Sequence, residues 1–167
     1  MSAAPGHDGA APAVTRSLAN AIYGTIIAAG VLAATGPDED PRALETALYV
    51  VATAGVLWIA HAWSHTIAAQ VAGAAPAEHG LAHALRAAAA LALAALPPAA
   101  TLALVRLLGG GDELAIEVAT WLCVGLLCGA GGLVARRHRV GPLQAAALVV
   151  GTGALGALLV ALKTLVH

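Results

Sequence analysis

The sequence predicts an all-α polytopic membrane protein, a bundle of five transmembrane helices, and three observations support this fold class. Of the 167 residues, 60% are hydrophobic and only 10% are charged. The mean hydropathy is +0.85. A soluble domain of this size carries about 25% charged residues, so this chain has too few charges to cover a soluble surface. The third observation is that the few charges bound long charge-free runs, each long enough to cross about 30 Å of hydrocarbon.

The charge-free runs define the expected helices. Five runs contain at least 18 residues each, close to the roughly 20 needed for one span. We expect a disordered cytoplasmic tail over 1–15 and a five-helix domain over 16–167, with helices over about 16–36, 42–72, 80–106, 113–135 and 142–165. The tail has no basic cluster, so the first helix is expected to be a retained anchor and not a cleaved signal peptide. The second run is long enough for a re-entrant turn, although one helix followed by a hairpin near Gly73 is simpler.

Local signals mark the helix ends. Asp40-Pro41 is typical of an N-cap followed by proline at the first helical position, opening the second helix. Asp112 follows a glycine-rich turn and is expected to cap the fourth helix. Gly141-Pro142 introduces the fifth helix. Pro97-Pro98 removes backbone hydrogen bonds in the outer half of the third helix and predicts a kink there.

The basic residues predict the orientation. With five spans, the N-terminal side holds Arg16, Arg86, Arg136, Arg137 and Arg139, whereas the other side holds Arg42, Arg106 and Lys163. Basic residues accumulate in cytoplasmic loops. We therefore expect a cytoplasmic N-terminus and an outer C-terminus, in a multi-pass protein of a bacterial-type plasma membrane.

Most of the acidic residues then fall on the outer side. A candidate acidic rim consists of Asp38, Glu39, Asp40, Asp112, Glu113 and Glu117. Such a rim would concentrate cations at an entrance. The alternative is that these side chains are helix caps and solvated loop residues, and this second interpretation is favoured.

Polar residues inside the spans are costly and therefore point to function. On helical spacing they gather in the cytoplasmic half of the bundle. The candidate ion or proton pathway consists of Arg16, Asn20, Tyr23, His61, His65 and Arg86. Asn20 and Tyr23 share one helical face, and Trp58, His61 and His65 share another. An imidazole that deep needs a partner, for which Asn20 and Tyr23 are the candidates.

Two histidine pairs suggest a metal site as an alternative. His61/His65 and His79/His83 each have the i, i+4 spacing that lets two imidazoles bind one transition metal. These four residues resemble part of the histidine boxes of membrane di-iron desaturases and hydroxylases. Such enzymes carry about twice as many histidines, and this sequence has no His-x-x-His-His box. A solvated interfacial loop is the other interpretation of His79 and His83.

The start of the first helix resembles that of lysosomal and bacterial potassium channels, which place an arginine there. In those channels a signature sequence follows the arginine. At the equivalent positions after Arg16, this chain has Asn20, Ala21 and Ile22, which do not match that signature. Those channels also have six spans per repeat. The resemblance therefore implies cation permeation only in outline.

Glycines on the fourth and fifth helices predict close helix contacts. Gly125 and Gly129 are spaced for a small-residue face, and Gly151, Gly153 and Gly156 provide another. These faces would serve packing within the chain or between copies, and five thin helices are too few to enclose a pore alone. We therefore expect a homo-oligomer, or a partner membrane subunit, in contact with the lipid bilayer.

The composition and motifs set several functional classes aside. A net charge of -1 does not suit nucleic-acid binding, and no phosphate-binding loop or nucleophile elbow is present. Three hypotheses remain. The first is an oligomeric channel or transporter-like protein for a cation or protons, and the second is a structural or accessory membrane subunit. The third is a metal-dependent membrane enzyme or metal carrier, although an enzyme is the less favoured outcome.

Overall fold

A computed structural model of the chain describes residues 13–35, 42–73, 80–138 and 141–166, and all regular secondary structure in these ranges is helical. The helices are α1 (Ala13–Ala34), α2 (Ala43–Val71), α3 (Leu81–Ala87), α4 (Ala89–Leu93), α5 (Leu96–Leu107), α6 (Asp112–His138) and α7 (Pro142–Val166). Residues 1–12 of the predicted tail, Asp38, Glu39, Asp40, His79 and Arg139 lie outside the described residues.

Within the described ranges, four helical stretches are long and apolar enough to cross a membrane: Thr15–Ala34, Ala43–Val71, Ala89–Leu107 and Asp112–Arg137. α7 is not counted among these four, although its Pro142–Leu158 part is also apolar. The predicted all-helical, multi-pass membrane protein is therefore confirmed by the length and apolarity of its helices. α2 is a single helix without a re-entrant turn, and Gly73, with φ of +74°, follows its end.

The buried interior of the described bundle is mostly alanine with a few leucines, and many large apolar side chains lie on its exterior. α1 packs against α4 and α6, α2 against α5, and α6 against α5 and α7. Ala28, Val50 and Ala119 are among the buried core residues, whereas Leu48 and Trp63 are exposed. Large apolar side chains on the outside suit a surface that faces acyl chains.

The predicted third helix is interrupted twice. α3 ends at Ala87 and α4 at Leu93, and α5 begins at Leu96. Pro97-Pro98 lies in the first turn of α5, where the missing N–H groups cost nothing. The proline rings would clash with carbonyls four residues earlier, at Leu93 and Ala94, so the interruption falls just before them. The expected kink is thus a helix break on the N-terminal side of the prolines.

Asp112 connects helices at the end of the bundle where α2 begins. Its Oδ1 accepts a hydrogen bond of 2.8 Å from the backbone N–H of Ala43, the first residue of α2. Arg106 Nε lies 3.2 Å from the same oxygen. The sequence assigned Asp112 to the cap of its own helix. The structure shows instead that Asp112 caps α2, because the start of α6 lies beside the start of α2.

Some of the glycines on α6 and α7 lie in the contact between these two helices, and others do not. A Cβ built on Gly131 of α6 would lie 2.8 Å from the carbonyl oxygen of Leu148 on α7, and one on Gly153 would lie 2.7 Å from Cys128 Sγ. These glycines allow α6 and α7 to approach closely. Gly125 and Gly129 instead face open space, so they take no part in this helix pair.

Candidate functional site

A groove of about 550 Å³ lies at the end of the bundle where α1 and α3 begin and α2 ends. Three helices form it, and small alanine side chains make up most of its wall. Its polar lining consists of Arg16, Asn20, His61, His65 and His83. We call this the histidine groove. It joins residues that are up to about 70 positions apart in the sequence.

α2 contributes two imidazoles to the lining of the groove. His61 and His65 are one helical turn apart, and their rings meet edge to face with centroids 4.6 Å apart. His61 is half-buried and His65 is exposed, so the pair extends from the open groove toward the bundle interior. Ser64 lies between them in sequence, but its hydroxyl donates to the His61 carbonyl oxygen at 2.8 Å. Ser64 is therefore not arranged as a nucleophile beside an imidazole.

α1 contributes Arg16 and Asn20, which are also one turn apart. Asn20 Nδ2 donates a hydrogen bond of 3.2 Å to the carbonyl oxygen of Ala87. The sequence offered Asn20 as a hydrogen-bond partner for His61. The amide instead bonds to the end of α3, and His61 has His65 as its ring contact.

α3 contributes His83 and two backbone carbonyl groups that accept hydrogen bonds from side chains of neighbouring helices. Trp58 Nε1 on α2 donates to the Leu85 carbonyl oxygen at 2.8 Å. Leu85 and Ala87 lie in the last turn of α3, where helical carbonyls lack partners further along the helix. Side-chain donors that insert into the backbone ladder are a known cause of helix breaks. The Asn20 and Trp58 bonds therefore account for the interruption at Ala88.

One glycine sets how closely α1 approaches this interrupted helix. A Cβ on Gly24 would overlap the Leu91 carbonyl oxygen and lie 2.9 Å from Ala94 Cβ. Gly24 lies one turn beyond Asn20 on α1. The absence of a side chain here lets α1 approach the backbone of α4 closely.

Several predicted site residues lie elsewhere. Tyr23 is 49% exposed and does not line the groove, and Arg86 is exposed next to it without lining it. In the predicted acidic rim, Glu113 and Glu117 are exposed, while Asp112 has the capping role given above. The other three rim residues, like His79 of the predicted metal site, fall outside the described ranges.

The polar lining of the groove consists of hydrogen-bond donors and three imidazoles. Among the described residues, its lining holds one permanent cation, Arg16, and no carboxylate. Within the described residues, no group of three or more His, Cys, Asp or Glu side chains is placed to hold a metal ion. The arrangement suits protons or an anion better than a metal cation.

Among the described residues, the polar lining has no continuation to the other end of the bundle. The buried polar side chains among the described residues are four threonines, Thr25, Thr46, Thr66 and Thr120. Three of their hydroxyls donate to the carbonyl four residues earlier on the same helix: those of Thr25, Thr66 and Thr120. The groove therefore ends within the bundle as a site open at one end.

Two groove-building residues were missed as such by the sequence reasoning. Trp58 was noted only as sharing a face with the two histidines, and that spacing was the available signal. Gly24 gave no signal, because the sequence holds 19 glycines and only the fold shows which of them contact the backbone of a neighbouring helix. No protein-family model matches the chain, and no curated protein or solved structure is similar to it. The site is therefore interpreted from its own geometry.

Proposed function

We propose that the chain spans the membrane five times, with the N-terminus and the histidine groove on the cytoplasmic side of a bacterial-type plasma membrane. Two facts support this orientation. The groove lies at the end of the bundle where α1 begins, which is also the end that holds Arg16, Arg86, Arg136 and Arg137. Arginines accumulate on the cytoplasmic side of membrane proteins.

Within this topology, the function that the geometry supports best is proton transport by an oligomer, with the histidine groove as the proton-loading site. The observation that carries the proposal is the edge-to-face contact of His61 and His65 at 4.6 Å. An imidazole accepts a proton on one nitrogen and releases one from the other. An exposed histidine in contact with a half-buried one can therefore pass a proton from water toward the bundle interior.

Metal cations are the less suitable cargo. Hard cations require carboxylate and carbonyl oxygens, and the described lining of the groove contains no carboxylate. Arg16 would also repel a cation at the groove mouth. A proton avoids the first difficulty because it binds an imidazole nitrogen and needs no carboxylate ligand.

The oligomer is part of the proposal because one protomer offers no continuous polar route among its described residues. A route across the membrane then needs a second copy or a rearrangement of α1 against α4. The exposed apolar faces of α2 and α6 give a second copy surfaces on which to pack. The polar groove would meet such an interface at one end of the bundle.

Proton flux into liposomes tests the proposal. Purified full-length protein is reconstituted with an internal pH-sensitive dye, and a potassium diffusion potential drives proton entry. We expect the His61→Ala, His65→Ala double variant to lose at least tenfold in flux, because the imidazole relay is absent. Ser64→Ala is the matched control, since Ser64 lies between the histidines and bonds only to backbone. Equal flux for the double variant and the wild type excludes this mechanism.

A second candidate function is a structural or accessory membrane subunit. It is favoured by polar side chains that join helices to each other, among them Asn20, Trp58 and Asp112. For such a subunit, His61→Ala changes stability and wild-type liposomes show no proton flux. The metal-dependent alternative depends on His79, and elemental analysis of the purified protein for stoichiometric Zn, Fe or Cu tests it directly.

A further inference from the structure

The mouth of the histidine groove combines positive charge with hydrogen-bond donors. Arg16 from α1, His65 from α2 and His83 from α3 are all exposed there and line the same space. No carboxylate lines the groove within the described residues. We propose that this mouth binds the phosphate of an anionic phospholipid headgroup. This binding goes beyond proton transport and does not depend on it.

The donor set matches phosphate chemistry. A guanidinium presents a planar fork of N–H groups that fits two phosphate oxygens, and such charge-assisted bonds are the stronger kind. Imidazole N–H groups from two further helices approach the same space, so a phosphate would contact three elements at once. Asn20 uses its amide to bond Ala87, which leaves Arg16 as the principal ligand.

The walls of the groove favour a lipid over a free anion. Ala19, Ala68, Ala72 and Ala84 surround the polar groups, and an inorganic phosphate gains nothing from such apolar surface. The volume of about 550 Å³ lies in the range of sites that bind whole small molecules of roughly 300–1,000 Å³. A headgroup with the first part of its acyl chains occupies both kinds of surface.

The position in the bundle agrees with the same ligand. The groove lies at the end of apolar helices, at the level where a bilayer places its headgroups. Basic pockets between transmembrane helices on the cytoplasmic side are typical sites for anionic lipid headgroups. Exposed Ala68 on α2 and Ala72, which follows it, leave the side of the groove open, so a lipid has access from the bilayer.

Binding to full-length protein in a neutral detergent tests the proposal without any flux measurement. The probes are dihexanoyl phosphatidylglycerol, dihexanoyl phosphatidylcholine and inorganic phosphate, measured by equilibrium dialysis. We expect phosphatidylglycerol to bind at least tenfold more tightly than phosphatidylcholine. Arg16→Gln should weaken phosphatidylglycerol binding about tenfold and His83→Gln about threefold. Arg136→Gln, an exposed arginine at the same end of the bundle, is the matched control and should change binding less than twofold.

Three results overturn the proposal. Equal affinity for the two lipids shows that the phosphate charge is not recognised. An equal loss in Arg16→Gln and Arg136→Gln shows diffuse surface charge and no site. Binding of inorganic phosphate without phosphatidylglycerol shows a free-anion site. Arg16→Lys guards against misfolding, because it keeps the charge and should retain an intermediate affinity. If the protein binds phosphatidylglycerol but shows no proton flux, this proposal holds and the proposed function fails.

Discussion

The side-chain amide of Asn20 on α1 donates a hydrogen bond of 3.2 Å to the carbonyl oxygen of Ala87, the last residue of α3. This bond joins two helices at the point where the helical ladder is interrupted. Gly24 then brings α1 against the backbone of Leu91 one turn further on. The histidine groove therefore lies at a helix break, where side chains from two other helices donate hydrogen bonds to backbone carbonyl oxygens.

Replacing Asn20 with leucine tests the contribution of this bond. Asn20→Leu keeps a similar side-chain size but leaves the Ala87 carbonyl without its donor. We expect a loss of about 1 kcal/mol in the free energy of unfolding, the usual scale for one such bond. Denaturation in mixed micelles measures it. Ser17→Ala, an exposed position on the same helix, is the control and should leave stability unchanged. An equal effect of the two variants would show that the bond contributes nothing.

Trp58 should act on the same helix end from the other side. Trp58→Phe keeps most of the apolar contact and removes the indole N–H that bonds Leu85 at 2.8 Å. We expect a destabilisation of about 1 kcal/mol. Combined with Asn20→Leu, the double variant should lose less than the sum of the two single losses, because α3 frays once either bond is lost. Trp63→Phe, on the exposed face of α2, is the control. Strictly additive losses would show that the two bonds do not stabilise one unit.

Gly24 and Gly30 form a matched pair on α1. A Cβ on Gly24 would overlap the Leu91 carbonyl oxygen, whereas Gly30 has no atom within 4 Å of its built Cβ. Gly24→Ala should therefore destabilise the bundle by about 1–3 kcal/mol, the usual cost of overpacking. Gly30→Ala should be neutral or slightly stabilising, because alanine favours the helix. Thermal unfolding in detergent measures both, and equal stability of the two variants contradicts the close contact.

Much of the helical layout follows from the sequence because charges are costly inside a bilayer. The charge-free runs therefore predict where the apolar helices lie, and four stretches among the described residues are long and apolar enough to cross a membrane. The shared depth of Asn20, His61 and His65 also follows from helical rise. The break at Ala88 does not, because alanine is the best helix former and the cause lies in contacts from α1 and α2. Tyr23 shows the same limit. Its spacing to Asn20 predicts that the two residues share a helical face, but it does not predict how far the groove extends along that face.

The remaining prediction concerns Asp112, whose role the sequence assigned to the wrong helix. Its Oδ1 accepts from the Ala43 N–H at 2.8 Å and from Arg106 Nε at 3.2 Å. The side chains of Arg106 and Asp112 are 40% and 34% exposed, so solvent weakens their ion pair and the cap is the stronger contribution. Asp112→Ala should cost about 1 kcal/mol of stability, as loss of a helix cap does. Asp112→Asn retains an acceptor for Ala43 and should recover most of that loss.

The same variants separate capping from an acidic entrance. Glu113→Gln and Glu117→Gln remove exposed charges near Asp112 without touching the cap. If the cap is what matters, these two variants unfold like the wild type and reconstituted protein keeps its proton flux. If the acids concentrate cations at an entrance, flux falls in Glu113→Gln and Glu117→Gln and its loss grows at low salt, where charges are least screened. We expect the first outcome, because Asp112 has a protein donor for its oxygen and serves to hold α2 against the start of α6.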